Sequence, residues 1–441
     1  MYIKLKPLIS KKIPKIMLPK SRGKIALISV HGDPAVDIGK EEAGGQNVYV
    51  RQVGEALSRQ GWQVDMFTRC SDVNQEKIVE HNSNCRTIRL TAGPEKFVAR
   101  QKIFNYLPEF VEAFFNYQHQ QKTIYPIVHT NYWLSAWVGM AIKQRQSIQH
   151  LHTYHSLGAV KYRSINTIPL IAKTRLQVEK ECLENADMII ATSPQEEEHM
   201  RSLVSKKGNV MVIPCGTDID CFGSVDRAAG RAKIGVDLDT KLVMYAGRFD
   251  ERKGIETLVR AIARDEVKRH ENVKLMLVGG STPGEKDGIE RNRIADLVEE
   301  LGIQDITEFV GRVKHEDLAY YYAAADICVV PSHYEPFGLV AIEAMASRTP
   351  VVASNVGGLK FSIDNYKTGL LVPPQDEVAF AQGIDSILAD DQWRQELGEN
   401  ARQRVEDKFS WKGVATQLDN QYMVELNKLW VELGLLASAA V

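Results

Sequence analysis

Short apolar runs, each followed by a loop and then a helical pattern, recur in two long series along this chain. That alternation limits the fold to parallel sheets with helices on both faces. The first series opens at Lys24–His31, a run that reads as a strand buried on both sides. A glycine-bearing loop follows, then a helix from about Gln46 to Gln60 with Val48, Val53 and Leu57 on its apolar face. Gly61 stops it, and further strands are expected at Gln63–Thr68, Ile127–Thr130, Gln149–Thr153 and Met188–Thr192. The second series starts at Lys241–Gly247. It continues through Val273–Val278, Ile306–Val310, Ile327–Pro331, Pro350–Ala353 and Gly369–Val372, with helical patterns between.

Each series can build a doubly wound domain of its own, and 441 residues exceed one ordinary core. The reading is α/β: two doubly wound Rossmann-like domains facing a central cleft. Pro214, Gly216 and Gly223 break regular structure between Ile213 and Ser224. The expected division is a basic extension over 1–23, a first domain over 24–215, a second over 216–410, and a C-terminal helix over 411–441 crossing back to the first domain.

The net charge of -1 excludes a whole-protein field for nucleic acid. The six cysteines are scattered with no CxxC pair, which argues against a zinc site or a disulfide framework. No uncharged apolar run approaches the ~18 residues of a membrane span, so the expected location is cytoplasmic. Residues Met1 to Lys24 carry eight Lys or Arg and no acid. Lys11, Lys12 and Lys15 interrupt any apolar stretch a signal peptide would need, and weak attachment to an anionic membrane is the lesser reading.

In open parallel sheets, ligands bind beyond the carboxyl ends of the strands, and the chemistry-bearing residues fall there in both halves. Gly44 and Gly45 precede the first helix. They let backbone approach a ligand, and the helix start offers N–H groups to a phosphate. The second half's first strand runs into Gly247–Gly254. There Arg248 and Lys253 can hold a diphosphate and offset charge growing on it as it leaves.

The segment Glu335–Glu343 is the sharpest signal. On a continuous helix its two carboxylates would stand ~12 Å apart, too far for a glycosidase pair at ~5–9.5 Å. They read better as grips on different hydroxyls, Glu335 on a hexose and Glu343 on a ribose. Phe337, Gly338 and Leu339 offer N–H groups to a phosphate. His152 and His155 follow another strand, where a histidine can bond a sugar hydroxyl or equally serve the core. Arg100 and Arg175 can clamp a phosphate, against the default of a surface ion pair. Asp218-Ile-Asp220 and Asp237-Leu-Asp239 have metal-binding spacing but fall away from the cleft, and they read as chance.

Taken together these motifs resemble the retaining glycosyltransferases of family 4, from about Lys24 to about Phe409. The glycine loop, the Arg248/Lys253 pair and the E-x7-E signature carry the resemblance. It implies the GT-B fold, and metal-independent transfer of a hexose from a nucleoside diphosphate with retention. No cofactor and no essential metal are implied. The donor would be held by Gly44, Gly45, Arg248, Lys253, Arg312, Val313, Glu335, Phe337, Gly338, Leu339 and Glu343. The catalytic group would be His155, Arg248, Lys253 and Glu335.

Within the family, Ala43–Val50, His129–Leu134 and His152–Lys161 are similar to two neighbouring groups. One is the single-module sucrose-phosphate synthases; the other is the inositol-phosphate N-acetylglucosaminyltransferases. Both acceptors carry a phosphate. The resemblance makes Gln46, Arg100, Tyr132, His155, Ser156, Lys161 and Arg175 acceptor-binding candidates. UDP-glucose or another NDP-glucose with fructose 6-phosphate is the preferred pair, with a separate phosphatase as a partner. Rival readings are a membrane-surface transferase with a lipid acceptor, a silent sugar-nucleotide sensor, and a phosphorylase using pyridoxal phosphate. The phosphorylase lacks an independent sign of its cofactor lysine.

Overall fold

The computed structural model describes residues 22–36, 45–163 and 168–435. The expected strands form, and two sheets emerge among the described residues. The eight-stranded sheet comprises β1 (Lys24–Ile28), β2 (Gln63–Arg69), β3 (Ile78–Asn82), β4 (Cys85–Leu90), β5 (Ile127–Asn131), β6 (Gln149–Thr153), β7 (Met188–Ala191) and β8 (Val210–Val212). Its order is β3-β4-β2-β1-β5-β6-β7-β8, parallel except for the antiparallel β3–β4 edge. The six-stranded sheet comprises β9 (Lys241–Ala246), β10 (Val273–Val278), β11 (Thr307–Gly311), β12 (Ile327–Val330), β13 (Val351–Ser354) and β14 (Gly369–Val372). Its order is β11-β10-β9-β12-β13-β14, with parallel pairing throughout.

Three strands were not anticipated. β3 is a polar, partly exposed edge strand, and it pairs with β4, which is buried at five of its six residues. β8 is three residues long and half-exposed. The edge strands β3 and β8 are short and partly exposed, so they lack the apolar run that marks a central strand, and in the inner strand β4 two arginines interrupt it.

The chain winds outward from β1 through β2, then returns to lay β5 on the other side of β1. In the second sheet it winds from β9 to β10 and β11, then returns to place β12 beside β9. Each sheet thus has a switch point, between β1 and β5 and between β9 and β12. The loops at those two points diverge and leave a crevice for a ligand.

The helix Trp411–Glu432 ties the two units together. Ser410 caps it, its hydroxyl accepting from the Gly413 N–H at 3.1 Å. The helix runs back to the first sheet. There Trp62 Nε1 donates to Asp419 Oδ1 at 2.8 Å, and the Tyr422 hydroxyl lies 2.6 Å from His129 Nδ1. Among the described residues no helix is long and apolar enough to cross a membrane.

Candidate functional site

The helix Gly45–Arg59 begins at the first switch point and the helix Leu339–Ala346 at the end of β12. A methyl placed on Gly45 would stand 3.1 Å from Leu339 Cδ1. Two helix starts, one from each domain, therefore meet at the cleft, with the Leu339 side chain against Gly45. A helix start turns backbone N–H groups and the positive end of its dipole outward, which is a setting for an anion. Gly338 has φ 90° and opens the second of these helices without a side-chain cap. Phe337 is buried beneath it. Gly44 lies outside the described residues.

The turn after β9 supplies the nearby cations. Arg248 is exposed, and its carbonyl accepts from the Tyr245 hydroxyl at 2.9 Å, which fixes the backbone beneath it. Among the described residues its guanidinium makes no ion pair. Lys253 Nζ donates to Glu335 Oε2 at 2.5 Å, joining the loops after β9 and β12. Arg252 turns instead to Asp250, bonding it through Nε at 3.0 Å and Nη2 at 2.5 Å. That pairing helps hold the Asp250 carboxyl at about 2 although burial raises it.

The two carboxylates of the E-x7-E segment have separate partners. Glu335 faces Lys253, while the buried Glu343 receives the Tyr322 hydroxyl at 3.0 Å and lies 3.0 Å from His315 Nε2. Burial works against charge on His315, but Glu343 raises its pKa on balance. Arg312 and Val313 follow β11, Arg312 exposed and Val313 partly buried against the core.

The acceptor candidates gather at the ends of β5 and β6. Tyr132 has φ 72° and His155 φ 58°, a left-handed backbone that bulky residues rarely adopt and that clusters at functional sites. The Tyr132 hydroxyl accepts from Arg175 Nη1 at 3.2 Å. Arg175 is buried and also bonds Glu179 Oε1 at 2.6 Å and the Ser156 carbonyl at 2.6 Å. Its fork thus fixes Tyr132 and Ser156 in place. Arg100 lies with its Cζ 5.7 Å from the Tyr132 ring centre. Lys161 ends the short helix Gly158–Lys161. Its pKa falls to about 8 through burial and then through Arg175, Arg252 and Arg100. Gln46 donates to Ser29 Oγ at 2.9 Å, which orients its amide from the floor of the first switch point.

His155 Nε2 lies 2.9 Å from Asn131 Oδ1. The Asn131 Nδ2 points to the carbonyls of Ile28 and His129, so its oxygen faces the imidazole and Nε2 carries the proton. Burial lowers the His155 pKa to about 3. The ring is therefore neutral, with Nδ1 left as an acceptor.

Sequence reasoning passed over His31, Asn131 and Glu179. His31 packs on the Tyr132 ring with centroids 4.5 Å apart, and its buried Nδ1 has no partner among the described residues. Burial pushes its pKa well down, with Arg100, His155 and Arg175 adding to it. Its one signal was position, at the end of the first strand. The Asp-x-Asp pairs have local roles. Asp218 caps a helix by accepting from the Asp220 and Cys221 N–H groups, and Asp239 accepts from Asn272. Among the described residues, His150, His152 and Cys182 bring donor atoms within 4.8 Å of one another. They are buried in the first domain's core, where the Thr130 hydroxyl joins the two imidazoles.

Two family descriptions match in succession: a glycosyl transferase 4-like domain over residues 44–216 and glycosyl transferases group 1 over residues 226–404. Sucrose-phosphate synthase from Thermosynechococcus elongatus is 53% identical, with a TM-score of 0.85, covering 92% of this chain and 100% of that one. The D-inositol 3-phosphate glycosyltransferase of Corynebacterium aurimucosum is 34% identical over 412 residues, 90% of this chain and 95% of its own. That of Corynebacterium jeikeium is 35% identical over 407 residues, 90% of this chain and 96% of its own.

Proposed function

For this chain, which belongs to the family 4 glycosyltransferases of the GT-B fold, we propose transfer of glucose from UDP-glucose to fructose 6-phosphate, giving sucrose 6-phosphate and UDP. The observation that carries the choice of substrates is the 53% identity to sucrose-phosphate synthase over 92% of the chain. The inositol-phosphate relatives stand at 34% and 35%.

The diphosphate sits between the two helix starts, with the Gly45 N–H, Arg248 and Lys253 on its oxygens. Lys253 stands beside Glu335 before the donor arrives, so its ammonium is already placed where leaving-group charge will grow. Glu335 takes a hexose hydroxyl and Glu343 the ribose. The acceptor hydroxyl attacks the anomeric carbon from the face the diphosphate leaves. Its proton passes to the departing phosphate oxygen as the carbon–oxygen bond to that phosphate breaks. No side chain is needed as nucleophile and no metal as counter-charge, because two cations and two helix starts face the diphosphate. Neutral His155 offers Nδ1 as an acceptor to a hexose hydroxyl. The acceptor's phosphate lies among Arg100, Tyr132, Ser156 and Lys161, with Arg175 behind them.

A second reading, transfer of N-acetylglucosamine from UDP-N-acetylglucosamine to an inositol phosphate, is favoured by the function named for the Corynebacterium relatives. The deciding experiment offers each donor with its acceptor in the presence of a chelator and measures UDP and the sugar product. Sucrose 6-phosphate is the expected result. Product from the inositol pair alone would overturn the named acceptor and leave the diphosphate site as described.

A further inference from the structure

The two domains also share a narrow crevice. Leu157, Ser193 and Glu196 line it from the first domain, and Tyr334, Pro336 and Gly357 from the second. Its volume is about 10 Å³, against ~300 Å³ or more for a substrate pocket. It is a seam between domains rather than a subsite.

Glu196 stands on the first-domain helix Pro194–His199 and closes its start. Ser193 Oγ accepts from the Glu196 N–H at 3.2 Å. In return Glu196 Oε2 accepts from the Thr192 N–H at 2.6 Å and from the Thr192 hydroxyl at 2.8 Å. That reciprocal cap uses one carboxylate oxygen. The other, Oε1, is buried and has no partner among the described residues. A buried oxygen left unbonded opposes folding, and the cap does not call for it.

Across the seam, Tyr334 immediately precedes Glu335. The backbone on either side of it is tied down within the second domain. The His333 N–H donates to the Arg252 carbonyl at 2.8 Å, and the Glu335 carbonyl accepts from the Gly358 N–H at 3.0 Å. The Tyr334 ring thus projects from a fixed turn, yet its hydroxyl makes no hydrogen bond among the described residues. Burial, and then Glu196 and Glu335, push the phenol's pKa up, so it keeps its proton. A phenol with a proton to give and a buried oxygen able to accept it therefore line one seam from opposite domains.

We infer that Glu196 is a positioning residue for the donor loop: as the cleft closes on the nucleotide sugar, the Tyr334 hydroxyl donates to Glu196 Oε1 across the seam. The bond holds Tyr334, and with it the adjoining Glu335 and its partner Lys253, against the first domain. This rests on the reading that Glu335 takes a hydroxyl of the donor hexose, and it requires no particular acceptor. Because the bond exists only in the closed form, its loss is felt in turnover.

The test uses the full chain and Tyr334→Phe, which removes the hydroxyl and keeps the ring. The thermal midpoint of the unliganded variant matches that of the unaltered chain, since the hydroxyl bonds nothing there. The rise in midpoint produced by UDP, whose diphosphate spans both domains, is smaller in the variant. With saturating substrates kcat falls on the order of tenfold, the loss of one hydrogen bond to a charged group, for whichever acceptor is turned over. In a Glu196→Ala background, where Oε1 and the cap are already gone, Tyr334→Phe changes neither reading further.

A full UDP response and full turnover in Tyr334→Phe overturn the inference. So do additive losses in the double variant, which would give Tyr334 a partner other than Glu196. The UDP measurement needs no acceptor. If its coupled loss holds while no sucrose 6-phosphate forms, the acceptor reading fails and the contact across the seam stands.

Discussion

The two sheets bury different chemistry at equivalent places. In the first, β5 (Ile-Val-His-Thr-Asn) and β6 (Gln-His-Leu-His-Thr) are buried at every residue, so three histidines, three hydroxyl or amide side chains and a glutamine lie within the core. In the second, β12 reads Ile-Cys-Val-Val and β13 Val-Val-Ala-Ser, equally buried. Most of these polar side chains bond one another or the C-terminal helix, while His150 Nδ1 and His152 Nε2 have no partner among the described residues. His129 lies between the Tyr422 and Thr153 hydroxyls, and the Thr130 hydroxyl lies between His150 and His152. Burial lowers the pKa of His129 and His150 to about 3, so these rings are neutral scaffolding at physiological pH.

The acceptor side of the cleft thus stands on a buried hydrogen-bond framework, with Asn131 and Arg175 its uppermost members. The donor side stands on apolar central strands, with Arg248 and Lys253 on the turn after β9. Such a division predicts that substitutions on the acceptor side disturb folding and acceptor binding together. Those on the donor side remove turnover and leave the fold intact.

Arg175→Met is the strongest challenge to that division. It strands the Glu179 carboxylate, 0% exposed, which Arg175 and the Gly158 N–H now satisfy. Removing one partner of a buried pair costs about 3–5 kcal/mol, to be read as a fall in the thermal unfolding midpoint. Adding Glu179→Leu replaces the whole pair and restores most of that stability. Acceptor KM stays raised in the double variant, because Tyr132 and Ser156 remain unfixed. Recovery of both together would show that the pair serves the fold alone.

Lys253→Ala tests the other half. The lysine is 31% exposed and stands on a turn held by backbone bonds, so the unfolding midpoint moves little. Turnover falls on the order of 10²-fold or more, as on loss of an oxyanion contact, and by a similar factor for any acceptor. Near-normal turnover would remove Lys253 from the diphosphate site. A loss confined to one acceptor would break the division between the two walls.

The same contrast decides how much could be read from the sequence. Central strands announced themselves by their apolar runs, and the donor candidates by glycines and cations at the ends of those runs. Both signals are local. The edge strands β3 and β8, and β4 with its two arginines, gave none. The partners of Glu343, His315 and Tyr322, are 28 and 21 residues away, and only the fold brings them to it. His31 and Asn131 lay inside recognised segments, but their roles arise from β1 and β5 being neighbours, a pairing made across about 100 residues. Arg252 was visible beside Lys253, yet its direction is set by its pairing with Asp250.

The smallest effect concerns Lys161, where the acceptor wall has one cation that titrates near working pH. Its pKa is lowered to about 8, by burial first and then by Arg175, Arg252 and Arg100, against Asp250. The lysine is charged below that value and loses its charge as pH rises through it. A sugar phosphate is a dianion above its second pKa of about 6. Acceptor capture is therefore best between about pH 6 and 8, and kcat/KM for fructose 6-phosphate falls on the alkaline side. A bound dianion favours the charged amine, so the same limb in kcat lies at higher pH. Lys161→Arg keeps the charge throughout and abolishes the alkaline limb in kcat/KM. Lys161→Gln removes it too, at a KM raised severalfold at pH 7, about the loss of one charged hydrogen bond in a half-exposed site. His155, with its pKa at about 3, adds no limb in this range. An alkaline limb that survives in both Lys161 variants would assign it to another group and would leave the acceptor wall without its one pH-sensitive member.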